Sequence, residues 1–429
     1  MKKKYRIILY TSIFLLCVVA SIILVVKKSN SVYEEESKPK VVKHKSMLSM
    51  NLEQTAGSGD YKTVTQSKWP TEGYKFNAEL SRCENGSTLS WDDTKKAVIV
   101  SGNLSDKCYV YFDIYQPTLA EYIKSQYTGT QGENNIYYHD SDLANGAGDN
   151  SYRYAGANPN NFVCFGSDTS PCPTDNLYRI IGVFGENYHG VTGKQLVKLI
   201  KYDYMTTDEL GTDGDYSQTY KEWGMDSTYK GTYGDGERIG VYYWNYKATG
   251  SATNTWSTSL LNKTNLNTNF INYLGTTWAN KIATVTWKVG GNTWANIGTK
   301  TSSVAYTNEI TNPVTTNTTD NATTYSAKIG LMYVSDYGFA ASPDAWTLTM
   351  SSYNNTTATN NNWMYMGLYE WTISRVADFS DVAFLVDGDG FVFDDYVGSG
   401  SGVRASFNLE SSVSYVSGSG SMSDPIVIN

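Results

Sequence analysis

The sequence predicts an α+β protein: a small, disulfide-stapled β module and a larger mixed domain, both following an N-terminal transmembrane helix. Three observations predict it. Ile7 to Val26 is a run of 20 residues without a charge, long enough to cross a hydrocarbon core as a helix. Short stretches of alternating apolar residues recur from Tyr74 to the C-terminus, which is the period of strands. Apolar residues near helical spacing fill 257–282. A chain of 429 residues, 40% hydrophobic and 18% charged, can bury a sizeable core.

The membrane segment comes first. No pair of small residues precedes a cut site at Ser21–Val26, so the span reads as an uncleaved anchor rather than a signal peptide. Cys17 follows Leu16 in mid-span and reads as a buried apolar thiol. Four positive charges precede the span and two follow it, which places 1–6 in the cytoplasm and the bulk of the chain outside the cell membrane. The net charge of −8 divides into +6 over residues 1–28 and −14 over the rest. So acidic a body repels phosphate backbones, which excludes nucleic acid as an expected partner.

Beyond the anchor, residues 27–66 are polar and mixed in charge and read as a linker or stalk. Residues 67–115 read as the β module. Tyr74, Phe76, Ala78 and Leu80 alternate, as do Leu89 and Trp91, and Ala97 and Ile99, with turns at Asn85-Gly86 and Ser101-Gly102. The four remaining cysteines form two local pairs, Cys83 with Cys108 and Cys164 with Cys172; without a CxxC they favour disulfides over zinc.

Residues 116–429 read as one domain. Leu177–Phe184 and Gln195–Tyr202 are the strands of a hairpin. Leu260, Leu261, Leu266, Phe270, Ile271, Leu274, Trp278 and Ile282 mark amphipathic helices. Trp287–Thr324, rich in Asn and Thr, reads as a long surface excursion. Strands return at Ser326–Val334, Glu370–Ser374, Ala383–Phe393, Ser412–Tyr415 and Pro425–Ile428.

Catalytic signals are sparse. Of three histidines one lies in the linker, and no HExxH, Ser-His-Asp order or phosphate loop occurs, so no cofactor is expected. Asp203, Asp208, Glu209, Asp213 and Asp215 could supply a glycosidase pair, but a solvated loop is the simpler expectation. Asp387-Gly388-Asp389-Gly390 lacks the first and twelfth ligands of a calcium loop and reads as a tight hairpin turn.

Glu370-Trp371-Thr372-Ile373-Ser374-Arg375, followed by a divergent stretch and then Gly402-Val403-Arg404-Ala405-Ser406-Phe407-Asn408-Leu409, resembles the end of C-type-lectin-like domains related in fold to the formylglycine-generating enzyme. Many of these are targets of diversity-generating retroelements. Residues from about 130 to 429 share the resemblance, which departs at Val403-Arg404-Ala405, where relatives often carry Pro after the Arg. It implies a variable ligand-binding domain. In such systems Lys, Glu, Gln, Met and Trp cannot arise from randomised Asn codons. None of the five occurs from Val376 to Gly402, although together they make up 71 of the 429 residues. The copper-binding Cys pair of the enzyme relatives has no counterpart, since no Cys follows Cys172, and binding rather than catalysis is expected.

Strand parity then divides the hairpin. Phe384, Val386 and Val392 belong to a core face, while Leu385, Asp387, Asp389, Phe391 and Phe393 belong to the opposite one. Val376, Asp378, Phe379, Asp381, Val382, Asp394, Asp395, Tyr396, Ser399 and Ser401 complete the expected ligand surface. Its partner is an extracellular protein, glycan or phage. A cell-wall or glycan hydrolase and a structural surface-layer component are the rival expectations.

Overall fold

The computed structural model describes residues 48–65, 68–70, 73–313, 323–354 and 360–429. The expected tail, the membrane helix at 7–26 and the first part of the linker lie outside the described residues. The chain forms two compact units, one ending at Gln116 and the other spanning Pro117–Asn429.

In the first unit a four-stranded sheet runs in the order Tyr61–Val64, Leu48–Glu53, Cys108–Ile114, Tyr74–Cys83. The expected linker therefore ends earlier than residue 66. Leu48–Glu53 lies parallel to Cys108–Ile114 and buries Met50 and Leu52 against Val98, Val110 and Phe112. Two apolar side chains two residues apart suffice to seat this strand, and they are too few to stand out in a polar stretch. The Cys83–Cys108 disulfide joins directly paired positions of neighbouring strands. It closes a 25-residue separation, so it offsets a thin core by about 3 kcal/mol in the chain-entropy account.

The second unit is α+β as expected. Its main sheet is antiparallel and carries Ile329–Gly330, Ser406–Asn408, Leu196–Lys201, Leu177–Phe184, Ser151–Tyr154 and Ile136–His139 in that order, with Phe162–Cys164 also paired to Leu177–Phe184. Every residue of Leu177–Phe184 and of Leu196–Lys201 is buried, which is why both read as nearly continuous apolar runs. The Cys164–Cys172 bond forms as expected. Helices at Leu261–Phe270 and Ile271–Ala279 bury Leu261, Leu266, Phe270, Leu274 and Trp278.

The described part of the Trp287–Thr324 segment is not a surface excursion, and residues 314–322 lie outside the described residues. It begins in the Val285–Lys288 strand and continues through helices at Trp294–Thr299 and Ser302–Tyr306, and it buries Trp287, Val289, Ile297, Tyr306 and Ile310. Sparse apolar anchors do the packing here, while the Asn and Thr between them dominate the composition.

The core also contains charge. Lys198 Nζ lies 2.6 Å from Asp336 Oδ2, and Asp336 accepts from the Tyr188 hydroxyl at 2.6 Å and from the Tyr333 amide at 3.0 Å. Arg153 pairs with Asp149 at 2.8 Å. Glu309 accepts from the amides of Val334 and Ser335, at 3.2 and 3.0 Å, and from the Ser374 hydroxyl. Glu309 thus ties the start of the Val334–Ala340 helix to the Glu370–Arg375 strand. Burial raises its carboxyl to about 7 against the bonds from Ser335 and Ser374, which lower it.

A carboxyl with a raised pKa in the fold contributes stability below its unfolded pKa and loses that contribution as pH rises through the folded value. Stability therefore falls as pH climbs from about 4.5 to above 7, by up to about 3 kcal/mol from this one group. Glu309→Gln removes most of that slope. Thermal melts of both proteins at pH 5 and pH 8 check this, and equal slopes would show that Glu309 is not the titrating group.

Candidate functional site

The residues that carry the family resemblance meet in the interior. Arg404 Nε donates to Glu370 Oε1 at 2.9 Å, with both side chains buried, and Arg404 Nη2 donates to the Met364 carbonyl at 2.6 Å. Burial pushes the Glu370 carboxyl up and Arg404 pulls it back. Backbone bonds lie beside the pair, from the Trp371 amide to the Gly402 carbonyl at 3.0 Å and from the Gly402 amide to the Tyr369 carbonyl at 2.8 Å. Gly402 permits this approach: a Cβ there would stand 2.8 Å from the Tyr204 ring and 3.1 Å from the Tyr369 carbonyl. Trp371 Nε1 donates to the Tyr242 carbonyl and Trp244 Nε1 to the Thr372 carbonyl, both at 2.9 Å. The strand before the divergent segment and the chain after it are thereby clamped together.

Between these clamps lies a three-stranded antiparallel sheet, Glu370–Arg375, Val382–Val386 and Val392–Tyr396. The loop entering it is pinned. The Asn254 amide nitrogen stands 2.8 Å from the carbonyls of Val376, Phe379 and Val382, and the Trp294 amide donates to Asp378 Oδ1 at 2.9 Å. At the turn, Asp387 Oδ1 accepts from the amides of Asp389, Gly390 and Phe391 at 2.9, 2.8 and 3.2 Å. Gly390 takes the left-handed φ of +94° that this turn requires. Burial raises the Asp387 carboxyl to about 6, against the lowering effect of those three amides.

Four expected ligand contacts are therefore interior. Val376, Leu385 and Ser401 are buried outright, and Asp387 is buried with its carboxylate committed to the turn. Val382 is half-buried against the core. Strand parity itself is correct, since Leu385 stands opposite Phe393. The central strand is covered on both faces, however, and only the edge strand emerges: Leu385 is 0% exposed and Phe393 is 50%.

The remaining positions reach the surface. Phe379 is 50% and Tyr396 42% exposed, and Asp389 is exposed. Phe391, Asp378, Asp381, Asp394, Asp395 and Ser399 are half-buried. The Phe391 and Phe393 rings meet edge-on at 6.1 Å. Further exposed aromatics join them. Trp223 packs its ring 5.7 Å from Tyr369, Trp294 hydrogen-bonds Asp394, and Tyr246 stacks on Tyr243 at 4.6 Å beside Gly400, which pairs with Tyr243. Nothing in the sequence marks these four: among 35 Tyr, 13 Phe and 11 Trp, exposure leaves no local trace.

The acidic stretch has structural duties. Asp203 is buried and accepts from the Tyr229 hydroxyl at 2.6 Å and from the Thr232 amide at 2.6 Å. Glu209 pairs with Lys201 at 2.9 Å and accepts from the Thr206 amide. Asp213 accepts from Asn269, and Asp215 accepts from the amides of Tyr246, Leu260 and Leu261. Asp208 is exposed beside Arg238. Asp203, Glu209, Asp213 and Asp215 are thus engaged by hydroxyl, amide and ammonium groups of the surrounding turns and helices. Among the described residues no three His, Cys, Asp or Glu side chains converge to hold a metal ion.

No family model, curated protein or solved structure matches the chain.

Burial separates two neighbours of the site. Leu385→Ala should cost about 2–5 kcal/mol by opening a cavity, whereas Phe393→Ala should change stability by less than about 1 kcal/mol. Denaturant titration of both variants checks this; a Phe393→Ala loss as large as that of Leu385→Ala would place the Phe393 ring in the core.

Proposed function

We propose that the Pro117–Asn429 unit is a ligand-binding domain of C-type-lectin-like type, held at the outer face of a cell membrane by residues 7–26, and that it binds rather than catalyses. The observation that carries this reading is that Phe379, Phe393 and Tyr396 are exposed among Asp378, Asp389, Asp394 and Asp395 along an edge strand, with Phe393 and Tyr396 on its two faces, and the adjoining loop and turn. A fold has no packing reason to leave large rings in water beside carboxylates, and a binding surface does. The frame beneath is buried and cross-bonded, which lowers the ordering cost of presenting the rings.

The composition supports a diversified face. Within the window free of Lys, Glu, Gln, Met and Trp, the side chains outside the core that do not pin the loop are those of Phe379–Asp381, Asp389, Phe391, Phe393–Tyr396 and Ser399. Val376, Ala377, Ala383–Val386 and Val397 are buried and serve as scaffold. The ligand class is accordingly a protein or glycan surface rather than a small molecule in a pocket.

A random-peptide library panned on the full-length chain and counter-selected on a Phe379→Ala/Phe393→Ala/Tyr396→Ala triple variant tests this reading. The expected result is a set of clones that bind the wild type and lose at least about 2 kcal/mol of affinity on the variant, as aromatic anchors do. Recovery only of clones that bind both proteins equally would sink it.

A further inference from the structure

The segment that forms the edge strand and its turn is acidic. From Val376 to Val403 there are six Asp and neither Lys nor Arg. Two stretches distant in sequence, around Asp226 and from Asp387 to Asp395, bring their carboxylates to one ring. Asp226 stands against the turn, its Oδ2 3.1 Å from where a Gly388 Cβ would lie, with the Tyr369 ring 3.6 Å from the same point. The Tyr369 hydroxyl is held above its usual pKa by partial burial and then by Asp387, Asp389, Asp226 and Asp395. Tyr369 precedes the first strand of the sheet and shares the parity of Trp371 and Leu385, and hence of Phe393 and Phe391 on the edge strand. Tyr369 and Phe393 are both substantially exposed.

Of these acids Asp387 is committed to the turn, while Asp226, Asp389 and Asp395 border the rings. An aromatic face carries negative potential and attracts ammonium and guanidinium groups, and adjacent carboxylates add to that attraction. Against an anionic or uncharged partner the same carboxylates would have to be desolvated without compensation. Charge complementarity therefore selects the occupant.

We infer that this face takes a basic peptide segment of a partner protein, with lysine or arginine side chains seated on the Tyr369 and Phe393 rings between the carboxylates of Asp226, Asp389 and Asp395. The inference rests on the binding-face reading above and narrows it to one chemistry. An extended segment suits the site, because rings and acids follow the edge strand and its turn rather than enclosing a pocket.

The test is fluorescence anisotropy on the full-length chain, with a labelled nonapeptide of alternating glycine and Arg or Lys as probe and its glutamate-substituted counterpart as control. The basic peptide should bind and the acidic one should not, and affinity should fall about tenfold or more between about 50 and about 300 mM salt. Phe393→Ala and the Asp389→Asn/Asp395→Asn double variant should each weaken binding by about tenfold, with melting temperatures showing both folded. Equal binding of the two peptides, or basic-peptide binding that survives both variants, overturns the inference. Library clones that need Phe393 yet carry no positive charge overturn the cation class and leave the binding face standing. The absence of any Phe393-dependent clone overturns both.

Discussion

The buried ion pair between Glu370 and Arg404 is the constraint on which the candidate face depends. Taking a carboxylate and a guanidinium out of water costs several kcal/mol per ion, and a geometry that satisfies their remaining hydrogen-bonding capacity is needed to offset it. Here Arg404 also reaches the Met364 carbonyl, and the flanking backbones are cross-bonded through Trp371 and Gly402. A hydrophobic pair of the same volume could supply comparable stability. The ion pair adds direction: a guanidinium fork fits one approach, so the two ends of the intervening segment are held in one relative position whatever side chains the segment carries.

Charge is used in two ways in this unit. In the interior, Lys198, Arg153, Asp336 and Asp149 neutralise one another among aromatic rings, and Glu309, its carboxyl raised by burial to about 7, accepts hydrogen bonds at a helix start. On the edge strand and turn, carboxylates stand beside exposed rings with no basic residue in the same stretch of chain. The interior ions pair with named partners and serve to orient the helix and strands. The surface acids retain an attraction for a cation, and the aromatic rings among them give that attraction an apolar platform. Stability and recognition thus rest on different charged residues of the same unit.

Much of the scaffold was legible in the sequence, and particular residues show why the rest was not. The cysteine pairs were readable because each is local. The edge hairpin was readable because alternation and two glycines at a turn have a single geometric meaning. Parity sorted Phe393 from Phe384, but it cannot tell how many layers cover a face, so Leu385 was placed outside when the central strand is packed on both sides. The strand at Leu48–Glu53 escaped because two side chains anchor it. The Trp287 segment escaped because abundant Asn and Thr hid Val289, Ile297 and Ile310. Glu370 and Arg404 lie 34 residues apart with no local signal of pairing, and only the resemblance of their motifs singles them out. The aromatics Trp223, Tyr246, Trp294 and Tyr369 join the face by tertiary contact alone, and no spacing rule connects them.

The most direct measurement of the central claim, that a rigid buried clamp carries an exposed recognition strand, is residue-resolved native-state hydrogen exchange. The amides of Trp371 and Gly402, bonded to the Gly402 and Tyr369 carbonyls, should exchange only through global unfolding, and Arg404→Met should bring their exchange into the sub-global range. Phe393→Ala should leave their protection unchanged. If the Trp371 and Gly402 amides of the wild type exchange as fast as those of surface loops, or if Arg404→Met leaves them fully protected, the clamp does not hold the face and the account is wrong.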